Sequence, residues 1–184
     1  MDTSEQDCQC QLCDGEPAGL GTDAYMESVT GHVDRVGWAI PAVYGDEHGP
    51  SWAYSVGIWH THGGPELAMF GGPVESMSGI INAIGSKIVD GVMIEAGDTI
   101  RDVCPDPLAI RPVHQSWRLT SMFAVSDLFY GYVRPAYLQI VWPDRRGRFP
   151  FERGFEPAFE DHQPLLWLPR DDHPPSVWSN IDTP

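Results

Sequence analysis

From Thr22 onward apolar residues recur at three- and four-residue steps: Tyr25, Met26, Val29, Val33 and Val36. With Thr22 or Asp23 as the cap and Gly37 as the stop, the pattern predicts a first helix over 22–37. The period then falls to two. Trp38, Ile40 and Ala42 predict a strand, the polar stretch 45–50 a turn, and Trp52, Tyr54, Val56 and Ile58 a second strand with one wholly apolar face. Residues 67–70 read as a short apolar strand ending at Gly71-Gly72-Pro73. Val74, Met77, Ile80, Ile81, Ile84 and Ile88 then trace the clearest helical stripe in the chain, with Gly91 as its stop. Gly79 and Gly85 lie inside this helix at a cost of about 1 kcal/mol each relative to alanine, which implies close packing against a sheet.

Further along, 99–103 and 108–114 are strand candidates on either side of the breaker Cys104-Pro105-Asp106-Pro107. Leu119, Met122, Phe123, Phe129 and Tyr130 fit a third helix, Leu138, Ile140 and Trp142 alternate as a last strong strand, and 144–147 is a turn. Prolines 150, 157, 164, 169, 174 and 175 forbid long regular structure thereafter, so the C-terminal stretch is expected to wrap the body through Phe151, Phe155, Leu165, Leu166 and Trp167. These elements predict a single α+β domain: a twisted, mostly antiparallel sheet of five or six strands covered by about three helices. Its organisation is an acidic leader (1–21), a body (22–156) and a proline-rich tail (157–184).

Composition narrows the function classes. The chain has 184 residues, with 17 prolines and 19 glycines, which disfavours a long-helix bundle. Its 26 acidic and 11 basic side chains give a formal charge of −15, which repels phosphate backbones and anionic lipid surfaces; it either simply keeps the protein soluble or favours a basic partner. No apolar run approaches the ~18 residues of a membrane span, and the polar start lacks the features of an export signal, so a cytoplasmic location is expected.

Two stretches concentrate chemistry. Cys8, Cys10 and Cys13 form a C-x-C-x-x-C cluster that can supply three corners of a tetrahedral zinc site, with His32 or Cys104 as a fourth ligand from the body. The alternative is a reduced leader without metal. His60, His62 and Glu66 form the second group; on an extended segment both imidazoles point to one side and Glu66 can turn back across Gly63-Gly64-Pro65 to meet them, giving three ligands for a divalent ion such as zinc or iron. Against this, His62 can simply brace the turn and Glu66 accept backbone hydrogen bonds. Asp144 ends a strand, where it can serve as a catalytic carboxylate or begin a turn. Trp59, Trp117 and Tyr54 are suited either to a pocket wall or to the core.

The spacing H-x-H-x-x-x-E partly resembles the first motif of the cupin superfamily, but no second motif follows, and the helix after Pro73 would interrupt a jelly roll. A longer resemblance runs through Gly37-Trp38, Tyr54-Ser55-Val56-Gly57-Ile58, His62-Gly63-Gly64-Pro65-Glu66-Leu67, Phe70-Gly71, Asn82, 138–144, 147–150 and Gln163-Pro164-Leu165. On these motifs the chain resembles the bacterial family catalogued as domain of unknown function 4262. The resemblance points to His62, Glu66 and Asp144, while His60 departs from the family pattern, and it brings no established activity.

Two functional expectations follow. The first is an enzyme acting on a small molecule or peptide, with His62 as general base or metal ligand, Glu66 its carboxylate partner, and His60, Asp144 and His114 as further members. Metal-assisted hydrolysis is its most economical reaction, since no nucleotide or flavin motif is present. The second is a non-catalytic accessory or immunity-type protein whose acidic surface engages a basic partner.

Overall fold

The computed structural model describes residues 8–14, 24–131 and 133–181. The expected caps Thr22 and Asp23, with most of the leader, lie outside the described residues.

The sheet has six strands: β1 (Ala42–Val43), β2 (Trp52–Tyr54), β3 (Glu66–Phe70), β4 (Thr99–Ile100), β5 (Leu108–Pro112) and β6 (Tyr137–Val141). Their order is β1-β2-β3-β6-β5-β4, and every pairing is antiparallel except β3 with β6 at the centre. The helices are α1 (Gln11–Asp14), α2 (Ala24–Val36), α3 (Ile58–His62), α4 (Val74–Val89) and α5 (Ala124–Tyr130). The fold is α+β. The three long helical patterns of the sequence correspond to α2, α4 and α5, and α1 and α3 are additional short helices.

Strand alternation sorts the core into two layers. Leu67 and Met69 of β3 and Leu138 and Ile140 of β6 face α4 through Met77, Ile81 and Ile84. Ala68, Phe70 and Tyr137 face the other way, toward Val29 and Val33 of α2, Phe129 and Tyr130 of α5, Cys10 of the leader and the tail residues Leu166 and Trp178. Glu66 shares the parity of Ala68 and Phe70, so it projects into this second layer.

Several expected elements are shorter or differently built. The strand over Trp38–Ala42 reduces to an isolated Ala39–Val56 bridge and β1, and the 99–103 strand to its first two residues. Both faces of the second strand are buried, because Ala53 and Ser55 are as enclosed as Tyr54 and Val56. The third helix starts only at Ala124, after two 3-10 turns, and Leu119 is left exposed. Gly85 packs on Trp38 and Ile58, where an added Cβ would stand 3.3 Å from the indole. Gly79 has open space around it, so close packing does not explain that glycine.

The tail is held by hydrogen bonds to the sheet and to the 3-10 turn that carries Trp117. Gln139 of β6 accepts from Leu166 N–H at 3.1 Å and donates to the Pro164 carbonyl at 2.7 Å, while Trp117 Nε1 donates to Leu168 at 2.9 Å. Trp178, an anchor absent from the sequence reading, is buried edge-on to Trp52 and Phe70.

Candidate functional site

The stretch 57–66 is folded by its glycines. Gly57 has φ 114° and Gly63 φ 69°, left-handed values that L side chains rarely adopt, and an added Cβ at Gly57 would lie 2.7 Å from Val33 and 2.9 Å from the Gly37 carbonyl. Between them the chain makes the five-residue helix α3, closed by Gly63 N–H donating to the Trp59 carbonyl at 3.0 Å. The extended reading of this stretch is therefore corrected. At 3.6 residues per turn, positions two apart lie about 200° apart around a helix, so His60 and His62 point in opposite directions instead of sharing a side.

His60 faces the leader. Its Nδ1 lies 3.5 Å from Cys8 Sγ, 3.2 Å from Cys10 Sγ and 3.7 Å from Cys13 Sγ, and the four ligand atoms all lie within 4.8 Å of one another. This Cys3His cluster could hold a metal ion, and it is the grouping of that kind among the described residues. Burial lowers the His60 pKa, which favours the neutral imidazole that ligates metals, and pushes the Cys8 thiol up to about 12. None of the four cysteines is in a disulfide. The residue that completes the cluster is thus neither of those expected: His32 is exposed in a surface groove beside Trp38, and Cys104 Sγ donates to the Asp106 carbonyl at 3.1 Å.

His62 lies on the opposite, exposed side, its ring edge-on to Trp38 at 6.0 Å and close over Gly37. Glu66 is fully buried and engaged by four donors. Ser55 Oγ and Tyr130 OH donate to its two oxygens, as do the backbone N–H groups of Gly57 at 2.9 Å and Trp59 at 3.1 Å. Burial raises the Glu66 pKa against the pull of these donors, and it pushes the Tyr130 phenol well above its ordinary range. His62 is not among the Glu66 partners, so the expected three-ligand set is not assembled: the structure puts His60 with the cysteines and Glu66 with Ser55 and Tyr130. Neither Ser55 nor Tyr130 was singled out from sequence, because a lone serine in a strand and an aromatic in a helical stripe carry no signal of a buried carboxylate.

Asp144 organises the turn after β6. Its carboxylate accepts from the N–H groups of Arg146, Arg148 and Glu156 at 2.8–3.0 Å and from the Arg148 guanidinium at 3.1 Å. Burial works against its charge, but these donors hold the carboxyl below its usual range. His114 caps a 3-10 turn through Ser116. Trp117 and Tyr54 are core, and Trp59 packs edge-on to Tyr130.

Three surface cavities are lined by other residues. One of about 450 Å³ runs between α2 and α4, past Tyr25, His32 and Trp38. The other two, of about 430 and 500 Å³, adjoin at Asp46, His48, Gly49, Pro50 and Val177; Tyr44, Trp52 and Trp178 wall the first, and Glu47, Asp161 and His162 the second. No described helix is long and apolar enough to cross a membrane.

A single α+β domain with a six-stranded mixed sheet, a sealed carboxylate and a Cys3His corner is the class that fold and site define. The family model described as domain of unknown function (DUF4262) matches residues 32–156, and the chain belongs to that family. No curated protein and no solved structure matches it.

Proposed function

We propose that this protein is a non-catalytic binding domain whose acidic groove receives a Lys- or Arg-bearing segment of a partner protein. The observation that carries the reading is the charge of the groove. Asp46, Glu47 and Asp161 line it, with His48, His162 and Tyr44 as its other titratable groups and no Lys or Arg among the described residues that line it. The sequence deepens this asymmetry, since Arg35 is the sole Lys or Arg before Lys87. Tyr44, 71% exposed, and Trp52 line the same cavity as Asp46 and offer aromatic faces to a cation. The loop is pre-organised for such a role: Asp46 accepts from His48 N–H at 2.8 Å, and Gly45 N–H donates to Ser51 at 2.8 Å, so little ordering entropy is lost on binding.

The enzyme reading has less support. Glu66 and Asp144, the carboxylates it would use, are taken up by protein donors, and His60, His62, Glu66, His114 and Asp144 line none of the three cavities described. A zinc ion in the Cys3His cluster has a supporting role here, because four protein ligands leave no open position for substrate.

Titration calorimetry with a short Arg–Gly repeat peptide tests the proposal. Binding is expected to weaken steeply with salt and by about tenfold, equivalent to about 1.4 kcal/mol, in the Asp46→Asn/Glu47→Gln/Asp161→Asn variant. No binding to the wild type, or equal binding to the variant, would overturn it.

A further inference from the structure

We infer that Cys8, Cys10, Cys13 and His60 bind one zinc ion, and that this ion fastens a leader outside the family-matched region onto the family domain. The nitrogen–sulfur separations fit a zinc site. With Zn–S about 2.3 Å and Zn–N about 2.0–2.1 Å, a tetrahedral angle puts nitrogen and sulfur about 3.6 Å apart. The three observed separations are 3.5, 3.2 and 3.7 Å. Three thiol sulfurs converging on one imidazole nitrogen have no comparable purpose as hydrogen bonds, because Nδ1 takes part in one good hydrogen bond at a time. Soft thiolates with one imidazole select zinc over hard divalent cations, and a closed four-ligand set is the mark of a structural ion.

The surroundings fit. Cys10 is fully buried in the α2/α5 layer, and the leader is already seated by Gln11, which donates to the Leu128 carbonyl at 2.9 Å and accepts from Thr30 at 2.8 Å. Phe129 stands edge-on to His60 at 6.2 Å and fixes the ring's plane. Zinc binding releases the thiol protons of the three cysteines and leaves His60 neutral, with its remaining hydrogen on Nε2. The family match begins at residue 32, so it contains His60 but none of the three cysteines. The site pairs an N-terminal segment outside the matched region with one histidine on α3 inside it.

The test uses the full chain, purified without a histidine tag under reducing conditions. Elemental analysis is expected to find about one zinc per chain, and cobalt exchange to give tetrahedral d–d and thiolate charge-transfer bands. His60→Ala and Cys13→Ser are expected to lower zinc affinity by more than about 100-fold, beyond what outer-shell changes cost. Cys13 is exposed, so its substitution leaves the core packing intact, and His60→Cys, which restores a four-ligand set, is expected to recover binding. Folded wild-type protein without zinc affinity, iron as the bound metal, or full zinc binding by the Cys8/Cys10/Cys13→Ser variant would each overturn the inference.

Discussion

Cys10 and His60 stand fifty residues apart in the chain, yet Sγ of one lies 3.2 Å from Nδ1 of the other. This contact joins the leader to the helix that also supplies the Trp59 amide to Glu66. Removing the zinc ion inferred at this contact is accordingly expected to speed hydrogen exchange at the Cys13 amide, which bonds the Cys10 carbonyl, and to lower the melting temperature by on the order of 5–10 °C. His62→Ala, on the far side of α3, is expected to change neither quantity.

Glu66 is expected to act on stability. Glu66→Ala leaves the Ser55 and Tyr130 hydroxyls and the Trp59 amide without their acceptor, while the Gly57 amide keeps the Tyr130 oxygen at 2.9 Å, and a loss of about 2–4 kcal/mol in denaturant unfolding is expected. Glu66→Gln keeps the shape and is expected to cost less.

The same residue carries a pH signature. Burial raises its pKa in the folded state, so the native protein holds a proton that the unfolded chain releases above its ordinary value of 4.5. The contribution of Glu66 is therefore complete below that value and lost as pH rises through the folded-state pKa. Unfolding free energies of wild type minus Glu66→Gln are expected to fall with rising pH; a flat difference would refute the sign.

His173 behaves in the opposite sense. Its Nε2 accepts from Leu165 N–H at 3.0 Å, Nδ1 lies 2.7 Å from the Pro174 carbonyl, and the ring sits edge-on to Trp117, so the neutral form is the one that fits. Burial lowers its pKa below 6.5. The tail is expected to loosen as pH falls below that value, read as faster hydrogen exchange at the Leu165 amide, and His173→Asn is expected to remove the dependence.

Two glycines make a paired test of packing. At Gly71, with φ 79°, an added Cβ would lie 2.2 Å from the His162 carbonyl oxygen, so Gly71→Ala is expected to cost about 2–4 kcal/mol and to dislodge the tail. Gly79→Ala, mid-helix with nothing nearby, is expected to stabilise by about 0.5–1 kcal/mol.

What the sequence determined by itself was the periodic part. The stripes of α2 and α4, the alternation of β6 and the apolar run of β3 are local patterns imposed by one burying surface, and together with the ordered family motifs they were enough for an α+β fold with a mostly antiparallel sheet of five or six strands. Short elements carried no period, so α3 passed for extended chain although Gly57 and Gly63 bracket it. That single difference rotates His60 away from His62. Which residues meet was decided only by the tertiary structure: the packing of α5 brings Tyr130 to Glu66, and the seating of the leader on α2 and α5 brings three cysteines to His60. The reason is physical. Side-chain identity and spacing fix what a residue can bind, but across fifty residues of chain the partner is chosen by how the helices pack on the sheet, and neither cysteine nor histidine spacing records that.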